Sequence, residues 1–284
     1  MLRIKRMQPK DIAFAVRLTD QEEWGITPSA LRRLMRLNPR GCFIAYEGIT
    51  RIGLTTTTVY GKELAWIGNV IVDVDHRGMH MGQSLVEHAV AFLQKSNVKH
   101  IALYCFNERE KFYENLGFVK DTQFIRLRRG AARPKHYENP SQSFEPPTLA
   151  KVMAADRKAF GADRSKLIRD VLHEKAGWYI GSGRDTSSAS FLMAREYSDD
   201  YEFGPWVCTN PLHDDPDEML NRALTVIRPA PVEISCLQNN RGAVHTLKAH
   251  EFRKVRKGYR MFFEQRSDLG NDVLQFALGF LDKG

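Results

Sequence analysis

Between Trp66 and Leu85 the chain reads WIGNVIVDVDHRGMHMGQSL. Val70, Ile71 and Val72 close an apolar run that reads as a buried strand, and Val86, Ala89, Val90 and Leu93 recur beyond Gly82 at helical spacing. A strand that empties through a loop bearing Gly78 and Gly82 into a helix makes a cradle for an anion. The first N–H groups of a helix have no partner within it and carry partial positive charge, and glycine lets a phosphate approach the backbone. A plain turn accounts for the same two glycines, so this segment by itself leaves both readings open. Cys42, Cys105, Cys208 and Cys236 are scattered without a Cys-x-x-Cys spacing. They point to buried free thiols, and no metal is expected.

The elements that must position this loop follow from periodicity. Leu2 to Met7 alternates as a strand, Pro9 and Asp11 open a helix through Leu18, and a second helix runs from Pro28 to Met35. Strands follow at Cys42–Tyr46, Ile52–Val59 and Leu64–Val72, then the helix beyond Gly82 to about Lys95. Val98–Phe106 is strand, Glu108–Leu116 helix and Phe118–Leu127 strand. Arg128 to Pro147, with four prolines and no apolar period, reads as a linker. Beyond it come helices at Leu149–Phe160 and Lys166–His173 and strands at Gly177–Ile180 and Ala189–Ala194, with Gly181-Ser182-Gly183 as a hairpin turn.

Arg77-Gly78-Met79-His80-Met81-Gly82 resembles the acetyl-CoA pyrophosphate loop of the GNAT superfamily of N-acetyltransferases, whose pattern is Arg/Gln-x-x-Gly-x-Gly/Ala, with His80 standing where the family has its first glycine. Phe112-Tyr113-Glu114-Asn115-Leu116-Gly117-Phe118 matches a second family motif, Tyr-x-x-Leu-Gly-Phe. The resemblance implies an α/β (α+β) GNAT fold, a mixed, mostly antiparallel sheet flanked by helices. It implies that Val70, Ile71 and Val72 lend main-chain groups to the pantetheine arm and acetyl carbonyl. It likewise gives the pyrophosphate to Arg77, Gly78, Met79, His80, Met81, Gly82 and Gln83. Tyr113 aligns with the tyrosine that protonates the leaving thiolate, and the reaction is direct attack by a primary amine on acetyl-CoA. The general base stays open among Asp73, Glu22 and Glu23.

The second half resembles a shortened, degraded copy of the first. Asn240-x-x-Ala243-x-x-x-Leu247-x-x-His250-Glu251-Phe252 keeps the spacing Asn-x-x-Ala-x-x-x-Tyr-x-x-Leu-Gly-Phe, with Leu for Tyr and Glu for Gly. Where its phosphate loop would fall, Thr209 to Glu218 carries four acids. This pairing is similar to the two-domain, YitH-like subset of the superfamily. The expected organisation is a GNAT domain at 1–130, a linker at 131–147 and a GNAT-like domain without a phosphate loop at 148–284.

At 284 residues two domains are the ordinary expectation. Neither a membrane-length apolar run nor a secretion signal stands in the chain, so a cytoplasmic protein is expected. Residues 1–130 hold 20 Lys and Arg against 13 Asp and Glu, while the remainder is nearly balanced within a net charge of +8. A basic first half suits a polyanionic cosubstrate. The acceptor is expected to be a small-molecule or peptide amine, and homo-oligomer formation stays open. Two other readings compete: a non-catalytic acyl-CoA sensor and, weaker, a nucleic-acid-associated protein, for which no recognition-helix or aromatic RNA-binding signature is present.

Overall fold

The computed structural model describes residues 2–131, 147–173, 177–182, 189–197, 200–210 and 215–284. Two compact units make up the chain: Met1–Lys120 with Met261–Ser267 and Leu281–Gly284, and Asp121–Arg260 with Asp268–Phe280.

In the first unit, β1 (Leu2–Arg6), β2 (Cys42–Glu47), β3 (Thr50–Tyr60), β4 (Leu64–Val72) and β5 (His100–Phe106) lie side by side in that order. The first four pair antiparallel and β5 joins β4 in parallel. Helices α1 (Ile12–Asp20) and α2 (Pro28–Leu37) link β1 to β2. α3 (Met81–Lys95) links β4 to β5, and the short α4 (Glu110–Glu114) follows β5. α2 starts where Thr27 accepts the N–H of Ala30 at 3.2 Å and Pro28 fills the first helical position, where a missing N–H costs nothing.

Both faces of this sheet are covered. Ala15, Leu18, Leu31 and Leu34 from α1 and α2 pack with Ile44, Leu54 and Ile71, whereas Leu85 of α3 packs with Ala45, Ile52 and Val72. Successive strand residues point to opposite faces, so Ile71 and Val72 are both apolar because each face has its own helix layer. Each fully buried leucine in these layers contributes about 2 kcal/mol.

β6 (Phe118–Arg129) and β11 (Arg253–Phe263) each have residues in both units. Within the second unit the order is β11-β6-β10-β9-β8-β7, with β7 (Gly177–Ser182), β8 (Ser190–Tyr197), β9 (Asp200–Val207) and β10 (Val232–Leu237). A three-residue strand, β12 (Gln275–Ala277), pairs with β9. Helices α5 (Leu149–Phe160), α6 (Ser165–His173), α7 (Pro216–Val226) and α8 (Arg241–Ala249) complete it. β9 and β10 pair in parallel, whereas β6–β10, β7–β8, β8–β9 and β9–β12 pair antiparallel. The mixed, mostly antiparallel sheet expected from the sequence is therefore present in both units.

Two local differences have physical causes. Gly181 and Ser182 are strand, paired with Phe191 and Ser190, and the hairpin connection falls at 183–188, outside the described residues. Gly181 is needed there for close approach, since a Cβ would stand 2.5 Å from the Pro147 ring. Asp121–Arg129 falls with the second unit rather than ending the first at 130, because Phe124–Arg129 of β6 pair with β10 from Leu237 to Val232. Most of the segment read as a linker, 132–146, lies outside the described residues.

Candidate active site

β4 pairs with β5 over Leu64–Trp66 and His100–Ala102, and the pairing stops there. Ile67–Val72 continues along β3 alone. Opposite Thr55 the register shifts, with Leu54 facing Ile71 and Thr56 facing Gly68, so Asn69 and Val70 bulge. Asn69 adopts φ 52°, a left-handed conformation that its short amide tolerates. Its side-chain N–H groups reach Thr56 Oγ1 at 2.9 Å and Asp282 Oδ2 at 3.2 Å. Gly68 leaves room for the same segment: a Cβ there would lie 2.0 Å from the Asp282 carbonyl oxygen.

The loop after β4 is tied down by its own side chains. Arg77 Nε donates to the Val72 carbonyl at 2.9 Å, and its Nη2 reaches Glu22 Oε1 at 2.6 Å. The guanidinium thus folds the loop against the strand end. Gly78 has φ 80° with open space where a side chain would begin. His80 has φ 57° at the position preceding α3, so the departure from glycine there is accommodated by a left-handed histidine at a modest conformational cost. His80 Nδ1 lies 3.2 Å from Gln83 Oε1, and Gln83 donates to Glu87 at 2.8 Å. Met79 is exposed, while Met81 packs with Val72 and Leu85.

No side chain caps the start of α3. Its first N–H groups are therefore available to an anion, next to the unpaired edge of β4. A Cβ on Gly82 would stand 3.6 Å from the Phe112 ring and 3.8 Å from Val72. That position joins the strand end, the loop and the segment carrying Tyr113.

Tyr113 is 9% exposed, and its ring meets Phe112 at 4.9 Å and Phe118 at 5.8 Å between centroids, both edge-on. Burial pushes its phenol well above the usual range, partly offset by Arg109. The hydroxyl is therefore protonated at any working pH, and it is a weaker acid than a free phenol. Burial pushes the Asp73 carboxyl up, but hydrogen bonds from His76, the Asp75 N–H and Gln21 outweigh it and hold the group below its ordinary range. Asp73 is a poor proton acceptor for that reason, and Glu22 is engaged by Arg77.

Two further residues of this unit are not singled out by periodicity. Asn107, just past β5, has a buried side-chain oxygen with no hydrogen-bond partner among the described residues. The family spacing kept by Asn240 would place an asparagine at 106, one position earlier, which is a signal that a relaxed match would find. Asp282, 213 positions from Asn69, carries no local signal at all.

The second unit repeats this architecture with each opening filled. β9 and β10 pair over Tyr201–Phe203 and Val232–Ile234 and then stop, but β12 lies in the gap. Gln275 and Ala277 face Val207 and Trp206, and Leu278 N–H donates to Ser235 O at 2.7 Å. Asn240 Nδ2 holds that segment by the carbonyls of Asp272, Val273 and Gln275 at 2.9–3.1 Å. At the start of α7 the Asp215 carboxylate accepts from the N–H groups of Asp217 and Glu218. One of the four acids found where a phosphate loop would fall, Asp215, thus occupies the helix-start N–H groups itself. All four cysteines are free and buried, and burial pushes Cys42 and Cys236 up to about 12.

Models of the acetyltransferase (GNAT) domain match residues 38–120 and 152–274. The chain belongs to the GNAT superfamily of acetyltransferases, in its two-domain form. It is similar to N-acetyltransferase YitH of Bacillus subtilis (strain 168), itself uncharacterized, at 21% identity over 95% of this chain and 94% of that protein. A solved structure from Pyrococcus horikoshii shares the fold at TM-score 0.79 and 19% identity, covering 100% of this chain and 96% of that one. A tandem GNAT protein from the clavulanic acid biosynthesis pathway shares it at TM-score 0.67 and 12% identity, covering 94% and 100%. Acyl transfer from acetyl-CoA is the chemistry of this superfamily. No helix among the described residues is long and apolar enough to cross a membrane.

Proposed function

We propose that the chain transfers the acetyl group of acetyl-CoA to a primary amine by direct attack, in its first unit. The observation that carries this is the uncapped start of α3 beside the unpaired edge of β4. The N–H groups from Gly78 to Gln83 receive the pyrophosphate, and Val70, Ile71 and Val72 offer main-chain groups to the pantetheine arm and the thioester carbonyl. Arg77 acts through the loop it braces. Asn107 supplies an unsatisfied acceptor for an N–H of the arm.

Attack by the neutral amine on the carbonyl carbon breaks the C–S bond, Tyr113 gives its proton to the departing thiolate, and the proton shed by the new amide nitrogen passes through solvent to restore the tyrosine. A lysine-like amine, with pKa near 10.4, gives up about 4.6 kcal/mol to be neutral at pH 7, whereas an α-amine near 7.7 gives up about 1. With Asp73 held low and Glu22 occupied, the site favours an acceptor that loses its proton cheaply, such as a peptide or amino-acid α-amine. Reduced, buried thiols fit the cytoplasm.

The full chain should be incubated with acetyl-CoA and a panel of α-amines, side-chain amines and polyamines while free CoA thiol is measured. Turnover concentrated on α-amines supports the reading. Tight acetyl-CoA binding without turnover on any amine would make the chain an acyl-CoA-binding protein instead.

A further inference from the structure

An open surface pocket of about 630 Å³ lies at the far end of α3, lined by Arg6, Arg40, Phe43, Phe92, Lys95 and Ser96. All six belong to the first unit. Arg6 closes β1 and faces Phe43 across the β1–β2 pairing. Lys95 ends α3, and Arg40 precedes β2. In the same unit Arg51, Arg77, Lys99 and Lys120 each have a carboxylate within 3.0 Å. Arg6, Arg40 and Lys95 have none among the described residues, and these three exposed residues line one pocket. The wall between them is aromatic: Phe43 meets Phe92 at 5.3 Å and His88 at 4.6 Å, both edge-on. Burial, and secondarily the Lys95 ammonium, holds the His88 imidazole behind Phe43 below its ordinary range, so it brings no charge to the wall at neutral pH.

We propose that this pocket is a second ligand site, which takes a phosphomonoester carried on a planar ring, in chemical terms a nucleoside monophosphate. Two guanidinium groups and an ammonium suit a phosphate of charge between −1.5 and −2, because guanidinium forks bind phosphate oxygens in pairs. The Phe92 ring, partly exposed beside the buried Phe43, gives a base a surface to stack on. The volume falls within the range of about 300–1,000 Å³ usual for small-molecule sites. The pocket is distinct from the cradle after β4. α3 has 15 residues, so its two ends are about 20 Å apart at about 1.5 Å per residue. A pyrophosphate on the first turn and a phosphate at the last are separate occupants.

The test is calorimetric titration of the full chain with adenosine 5′-monophosphate, inorganic phosphate and adenosine, each with and without saturating acetyl-CoA. The monophosphate should bind at sub-millimolar concentration whether or not acetyl-CoA is present, at least about tenfold more tightly than phosphate or adenosine. Added salt should weaken it. Arg40→Ala with Lys95→Ala should lower that affinity at least about tenfold while leaving acetyl-CoA affinity and the melting temperature at parental values. Equal binding of phosphate and the monophosphate would overturn the assignment of the rings. Competition by acetyl-CoA, or unchanged affinity in the double variant, would overturn the location. Absence of saturable binding up to the millimolar range would leave the three cations as a solvated face and end the proposal. None of these outcomes depends on acetyl transfer.

Discussion

At the cradle, small side chains decide what can bind. Gly82→Glu would place a carboxylate and added bulk between Val72 and Phe112, opposite the helix-start N–H groups. Acetyl-CoA should raise the melting temperature of the parent and not of this variant, a difference read by thermal denaturation. An equal shift in both would show that the anion goes elsewhere. Tyr113→Phe keeps the ring contacts with Phe112 and Phe118, so folding should survive. Its kcat should fall about tenfold or more with little change in acetyl-CoA affinity, and unchanged turnover would make Tyr113 a packing residue. Gly68→Ala sets a methyl group against the Asp282 carbonyl. It should destabilise the full chain by about 2–4 kcal/mol in denaturant titration, and parental stability would mean that Leu281–Gly284 does not seat on β4. Gly78, Gly82 and Tyr113 are visible in the sequence because motif and spacing are local. Asp282 is invisible there, since nothing near Asn69 records a partner 213 positions away.

Among the elements, the contrast between α3 and α7 carries the argument. Both helices follow a strand whose parallel partner has parted from it. α3 starts without a side-chain cap, whereas α7 starts on the Asp215 carboxylate. Asn107 has an unsatisfied oxygen, whereas Asn240 is fully engaged by the segment leading into β12. The second unit has thus become its own ligand, and calorimetry on the full chain should find one acetyl-CoA site per protomer. Two sites would require β12 to leave β9 and would refute this account. The long strands and helices could be read from the sequence because their apolar periods are sustained, β4 from Leu64 to Val72 without error. β12 could not, since three residues hold no period and its place is set by β9 and Asn240.

The whole molecule is not cut where the composition changes. A proline-rich stretch near 131–147 suggests a division of the chain into two consecutive pieces, yet Met261–Ser267 and Leu281–Gly284 belong to the first unit. A fragment of residues 1–147 should therefore lose the cooperative melting of the full chain, as followed by circular dichroism. A fragment that melts sharply at the parental temperature and binds acetyl-CoA would show that those late residues are dispensable.

The pairing of Asn69 with Asp282, and of Tyr60 with Lys283 across 223 positions, also sets a clock. At about 5–20 residues added per second, a ribosome that has just finished β4 needs on the order of 10–40 s to supply the residues that cover Gly68. Throughout that interval the bulged strand stands uncovered on the nascent chain, and the unit begun first is the one completed last.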